Sequence, residues 1–290
     1  MTFADITHKL IMCCAYIIQK GTLVLNEFFI KNPIFSITQV KEFLSTRGTT
    51  GDRSAEAILS YYIKSARIIR IKQGLYVTVP QEANSDTFTP DAFLLASRMS
   101  SDAVLAYHTA LEFYGRAYSV HRRLTYQTAS PPRPLSFRDW QFQPVKVPRT
   151  LQRKGKANFG VVQENRSGVK IPVTSLERTL VDVLNRPVYS GSWEEIWRSL
   201  ESIEFFDLEQ VIEYTLLLEN ATTAAKVGFF LEQHREELII EDEHLAPLKL
   251  LRPKKPHYFS RGKKKGGQWI KDWNLVVPDE IINRSWAEII

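Results

Sequence analysis

His108 and Glu112 stand four residues apart, one turn of a helix, a spacing at which an imidazole and a carboxylate can share a metal ion. No second ligand pair at metalloenzyme spacing accompanies them, so a structural histidine and no metal site is the expectation. Glu177, Arg178 and Asp182 fall in another helical stretch and offer acid, base and cation. Glu177 already serves a helix cap, however, and Arg178 with Asp182 has the spacing of a surface ion pair. Gly262-Lys263-Lys264-Lys265-Gly266-Gly267 has the glycines of a phosphate loop but neither the Gly-Lys-Ser/Thr ending nor a strand before it, which argues against nucleotide hydrolysis. No Gly-x-Ser-x-Gly elbow and no reactive-cysteine context occurs. The sequence therefore predicts no catalytic residue and no cofactor. An enzyme using His108, Glu177 and Asp182 as acid–base groups is one alternative.

Binding chemistry is better represented. Arg53, Ser54, Glu56, Ser60, Tyr61 and Lys64 fall on one side of a helical stretch, and Arg67, Arg70, Lys72 and Gln73 follow it. Cations of this kind meet phosphates, and the polar side chains can read base edges of duplex DNA. Two further basic sets follow. Arg149, Arg153, Lys154 and Lys156 cluster in an expected loop, and Arg252, Lys254, Lys255, Arg261, Lys263, Lys264, Lys265 and Lys271 form a run without an acid between them. Tyr258, Phe259, Trp269 and Trp273 are interleaved with that run, a mixture suited to nucleic-acid backbones and bases. Both sets are candidates for a nucleic-acid or partner surface. Glu201 to Glu243 is acidic, opposed only by Lys226 and Arg235, and could meet a basic protein partner.

The formal charge of +6 over 290 residues favours an anionic partner, though its distribution matters more than its total. Cys13 and Cys14 are the only cysteines, and as neighbours they build neither a disulfide framework nor a cysteine zinc site. A reducing cytoplasm is expected. The apolar run Leu10 to Ile18 is too short to span a bilayer and reads as a buried or dimer-forming helix, with no membrane association.

The elements that must hold the first set can be read locally. Ser36-Ile37-Thr38-Gln39 is a capping box, with Phe35 and Val40 as its staple, and Gly48 supplies a helix end. A second helix follows, its apolar face made by Ala55, Ile58, Leu59, Tyr62, Ile63 and Ala66. Ile68 to Ile71 alternates at strand period, Lys72-Gln73-Gly74 turns, and Leu75-Tyr76-Val77 returns. Two short helices and a basic ribbon predict a winged helix-turn-helix, with Ser54 to Lys64 as the groove-reading helix.

Residues 1–80 are thus expected to form a winged-helix DNA-binding domain with an N-terminal helical arm, and 81–90 a linker. Residues 91–290 are expected to form an α+β domain with a helical C-terminal half and a basic closing segment. Strands are expected at Leu124 to Thr128, Phe142 to Val147, Phe159 to Gln163 and Val169 to Val173. Capping signals at Thr174, Ser192 and Asp207 open three helices, and a fourth is expected over Thr223 to Glu237.

Several segments together resemble the AbiEi-like antitoxins, transcriptional regulators of type IV toxin–antitoxin and abortive-infection loci. They are Gln73-Gly74-Leu75-Tyr76, the stretch from Tyr107 to Gly115, Val173 to Asp182 with Arg186-Pro187 and Ser190-Gly191, and Gly266 to Leu275. Their shared order is the specific part, and the similarity spans most of the chain. The resemblance implies an N-terminal winged helix that represses its own operon. It further implies a C-terminal domain that counters, directly or indirectly, a nucleotidyltransferase-like toxin encoded alongside; the alternatives are an orphan winged-helix transcriptional regulator or an enzyme acting on the toxin or its nucleic-acid substrate. DNA sites would be inverted repeats bound by a homodimer or by cooperative monomers.

Overall fold

The computed structural model describes residues 25–48, 52–260, 267–284 and 286. These form an α+β chain divided into two compact units, the first ending at Met99 and the second beginning at Ser100. The expected apolar arm, with Cys13 and Cys14, lies mostly outside the described residues.

In the first unit, helix α1 (residues 25–31) carries Leu25, Phe28 and Phe29 into a core with Phe35, Tyr62 and Tyr76. The short strand β1 (Ile34–Ser36) runs into α2 (Ile37–Thr46). The cap is the expected reciprocal one: the Gln39 amide donates to Ser36 Oγ at 3.2 Å and the Ser36 amide to Gln39 Oε1 at 2.8 Å. Helix α3 (Asp52–Lys64) buries Ala55, Ile58, Leu59 and Tyr62, but Ile63 and Ala66 are exposed, unlike the apolar face read from spacing. The reason is the helix end. Ala66 lies beyond it at a φ of 57°, while the Ala66 amide donates to Ile63 O and the Arg67 amide to Tyr62 O, a Schellman closure built on alanine.

Strands β2 (Ile68–Lys72) and β3 (Leu75–Thr78) pair antiparallel around Gln73-Gly74, with Gly74 at a φ of 77°. β1 adds to β3, giving the order β1-β3-β2. Tyr76 is buried on one face of this sheet, Leu75 and Val77 on the other, so both faces are covered. Helix α4 (Ala92–Ser97), capped by Asp91, falls in this unit together with residues 81–90.

The second unit is built on a mixed six-stranded sheet of order β6-β7-β5-β4-β9-β8. Its strands are β4 (Val104–Leu105), β5 (Arg123–Thr128), β6 (Leu135–Phe137), β7 (Trp140–Lys146), β8 (Val161–Arg166) and β9 (Val169–Thr174). Short helices α5 (His108–Phe113) and α6 (Arg149–Arg153) interrupt it. Then follow α7 (Leu176–Asn185), α8 (Trp193–Glu201), α9 (Leu208–Leu217), α10 (Ala221–Gln233) and α11 (Asp242–Leu251). The side chains of Ser175, Ser192, Asp207 and Asn220 accept the first free amides of α7 to α10, so Ser175 rather than Thr174 caps α7. α11 escapes sequence reading because Pro247 lies inside it.

A closing sheet of β10 (His257–Tyr258), β11 (Gln268–Ile270) and β12 (Leu275–Val277) has the order β10-β12-β11 and leads into α12 (Asp279–Ile282). The core joins α7, α8, α9 and α10 through Leu180, Trp197, Tyr214 and Phe230, with Trp273 from the segment before β12. Gly228 of α10 faces that indole. Among the described residues no helix is long and apolar enough to cross a membrane.

Candidate functional site

On α3 the packed face leaves Glu56, Ser60, Tyr61 and Lys64 exposed on the other side. Arg53 and Ser54 belong to the same helix, but their side chains are not among those described. On the ribbon Arg70 and Gln73 are exposed and Arg67 is half-buried. Lys72 departs from its expected role. Its ammonium donates to the Met99 carbonyl, and burial pushes its pKa below the usual lysine value. It ties the ribbon to the end of the first unit instead of projecting toward a phosphate.

The basic sets of the second unit also divide. Arg149 lines a groove of about 1160 Å³ together with Lys146, Arg186, Lys226 and His257, and no acid is among the lining residues. Tyr189, Trp193 and Tyr258 supply aromatic surface, and Lys226 Nζ lies 5.2 Å from the centre of the Trp193 ring. By contrast Arg153 and Lys154 are neutralised by Glu219, at 2.8 and 2.7 Å. Lys156, Lys254, Lys255 and Lys271 are exposed and Arg252 is half-buried, whereas Arg261, Lys263, Lys264 and Lys265 lie outside the described residues. The interleaved aromatics are of two kinds: Phe259 and Trp273 are core, while Tyr258 and Trp269 are half exposed.

The Arg178–Asp182 pair is not on the surface. Both side chains are buried, with Arg178 Nε 3.5 Å from Asp182 Oδ2. Arg178 Nη1 donates to the carbonyls of Ala157 and Phe159 at 2.9 and 2.6 Å, and Nη2 to Gln127 Oε1. Asp182 accepts from Gln127 Nε2 at 2.9 Å and from the Tyr214 hydroxyl at 2.8 Å. Burial, with the Asp182 charge second, raises the Tyr214 phenol well above its ordinary pKa. Every strong group in this cluster has a partner, which is the condition for a buried ion pair to be tolerated.

A second polar cluster forms where α5 begins. Tyr107 precedes it at φ 59° and ψ −137°, a backbone region that side chains rarely occupy. His108 is 1% exposed; its Nε2 lies 3.0 Å from Ser119 O and 3.1 Å from Glu112 Oε1. The His121 ring stacks on it with centres 3.8 Å apart. From α8, Glu195 accepts from the Ser119 amide at 3.0 Å, Ser119 Oγ at 2.6 Å and Ser199 Oγ at 3.2 Å. Burial, then the neighbouring His108 imidazole, lowers the His121 pKa against the pull of Glu195 and Glu112. The spacing of His108 and Glu112 does not point to His121, which follows in the loop after α5, or to Glu195, which is far along the chain. Glu195 sits at the third position of the Ser192 cap and reads there as part of a helix start.

These groupings separate the three acid–base candidates. His108 keeps company with Glu112, His121 and Glu195, Asp182 with Arg178, Gln127 and Tyr214, and Glu177 Oε1 accepts from the Asp207 amide at 3.4 Å.

No family model matches the chain, and no curated protein matches it. Among solved structures it is similar to the crystal structure of the Rv2827c protein from Mycobacterium tuberculosis. The TM-score is 0.58 at 14% sequence identity, over 93% of this chain and 95% of that one. That likeness is one of fold, extending over almost the whole of both chains.

Proposed function

We propose that the chain is a DNA-binding regulator whose first unit is a winged helix, with α3 entering the major groove and the β2–β3 ribbon lying along the flanking backbone. The observation that supports this is the two-sidedness of α3. Its apolar side is locked into the aromatic core, while Glu56, Ser60, Tyr61 and Lys64 stand free of it beside the exposed Arg70 and Gln73. Lys64, Arg67 and Arg70 take phosphates, and Glu56, Ser60 and Tyr61 face base edges or sugar. One such unit makes few base contacts, so the site is an inverted repeat bound by two copies.

The resemblance to AbiEi-like antitoxins carries the second part of the reading: a cytoplasmic autorepressor that also counters a nucleotidyltransferase-like toxin from the same operon. Direct contact with a basic partner is favoured by one patch of the second unit. There Phe205 and Ile239, 77% and 76% exposed, lie among Glu204, Glu209 and Glu237 around a hollow of about 350 Å³.

A gel shift on the chain's own promoter tests the DNA reading. Replacing Lys64 and Arg70 by Ala should weaken binding and reduce the salt slope by about 0.9 for each phosphate left without its cation. Lys72→Gln should leave the slope unchanged. Binding indifferent to Lys64 and Arg70 would refute the proposal. For the partner reading, Phe205→Asp should abolish co-purification with the neighbouring toxin, and unchanged co-purification would remove that surface.

A further inference from the structure

The imidazole of His108 is held in one tautomer. Ser119 O can only accept, so the Nε2 that lies 3.0 Å from it carries the proton, and the Glu112 carboxylate at 3.1 Å reinforces this. With the ring neutral, Nδ1 is left as a bare lone pair. It is buried and has no hydrogen-bond partner, a costly state for a ring nitrogen. The side chain toward which it points is Glu195, whose Oε1 is 3.7 Å away and itself only an acceptor when ionised. Two electron-donating atoms thus face each other in a buried site with no donor between them, and His121 stacks against the pair.

We propose that His108, His121 and Glu195 bind a transition-metal dication, with Zn²⁺ the best fit. One ligand atom from each of the three lies within 4.8 Å of the others. Two imidazoles and a carboxylate form a set that suits zinc, whereas magnesium and calcium prefer oxygen ligands. The surroundings match what a metal-bound histidine requires. The far nitrogen of His108 donates to the Ser119 carbonyl, with the Glu112 carboxylate 3.1 Å away, which fixes the ring and strengthens Nδ1 as a ligand. Glu195 is oriented by Ser119 and Ser199. His121 is the adjustable member: its Nε2 rests 3.2 Å from Ser119 Oγ, and the ring turns out of the stack to present a nitrogen to the ion.

Access is from the His121 side, which is half-buried beside the exposed Gly191. A Cβ on Gly191 would come within 3.3 Å of His121 Cε1 and 3.1 Å of Glu195 Cγ, so a glycine there keeps the approach open. Three protein ligands leave a fourth position for water or an external ligand. The ion would staple the start of α5, the loop carrying His121 and the first turn of α8.

The full chain, stripped with a chelator, is titrated with Zn²⁺ by calorimetry and melted with and without the metal. The expected result is one Zn²⁺ per chain and a melting temperature that rises with Zn²⁺ and falls back on chelation. His121→Ala should weaken binding by more than about 100-fold, beyond the usual loss for an outer partner. Its metal-free melting curve, compared with that of the parent, shows that the variant is folded. Cobalt(II) provides a second readout, since the visible spectrum of the parent complex should be lost in Glu195→Gln. Absence of saturable one-to-one binding, or equal Zn²⁺ affinity in the parent and in His121→Ala, would overturn the proposal.

Discussion

Gly228→Ala puts two opposing effects of known size against each other. In an isolated helix the change is favourable, because alanine is the better helix former by about 1 kcal/mol. Here the new methyl would lie 2.1, 2.2 and 2.7 Å from three ring carbons of Trp273. Carbon atoms rest at roughly 3.5–4.0 Å, so the indole must retreat by about 1.4 Å. It has nowhere to go cheaply: the ring is fully buried, its Nε1 donates to Glu232 Oε2 at 2.7 Å, and Lys249 Nζ sits 5.5 Å from its centre. Overpacking costs about 1–3 kcal/mol, and losing a hydrogen bond to a charged group about 1.5–3. The net expectation is a loss of roughly 3 kcal/mol, despite the gain in propensity. Urea unfolding of parent and variant measures it, and the background Trp273→Leu should remove most of the penalty. A Gly228→Ala protein as stable as its parent, or more so, would refute the packing argument. The effect reaches the basic groove, because Trp273 leads into β12, which pairs with the β10 residues His257 and Tyr258.

Ala66→Gly should act in the opposite direction. A left-handed alanine costs about 1–2 kcal/mol, and the change to glycine relieves this while giving part of it back as unfolded-chain entropy. The urea midpoint should therefore rise at constant slope, and a fall would show that the closure tolerates alanine without strain. Arg178→Met leaves Asp182 buried without its cation and should cost about 3–5 kcal/mol; Arg178→Met with Asp182→Leu should recover much of it, and no recovery would count against a coupled pair. Asp102 is pushed up by burial, but Thr128, Ala129 and Ser100 donate to it and hold its carboxyl below the ordinary aspartate value. Its stabilising effect is present above that ordinary value and is lost as pH falls through the folded value. Asp102→Asn should thus destabilise at neutral pH and converge with the parent as pH falls through the folded value; a gap that persists in acid below it would refute the assignment.

Much of the backbone plan is written in short-range chemistry. Ser36, Ser192 and Asp207 announce helix starts because a cap needs only an oxygen and an amide two or three residues on, and Gly74 marks the ribbon turn because the chain there needs a positive φ. The outward face of α3 follows from the same periodicity. What fails to show is whether a charge meets water or protein. Lys72 alternates as a wing cation should, yet the carbonyl it finds, on Met99, is far along the chain. Arg178 and Asp182 have the spacing of a solvated pair, and only Gln127, Tyr214 and the Ala157 and Phe159 carbonyls, drawn from three other segments, make their burial tolerable. The same blindness hid the imidazole cluster. His108 with Glu112 is a local pattern, but His121 and Glu195 join it only because the turn after α5 and the first turn of α8 meet around Ser119. A short motif read alone therefore undercounts ligands. In this fold the residues most able to do chemistry are assembled by contacts that sequence spacing does not encode.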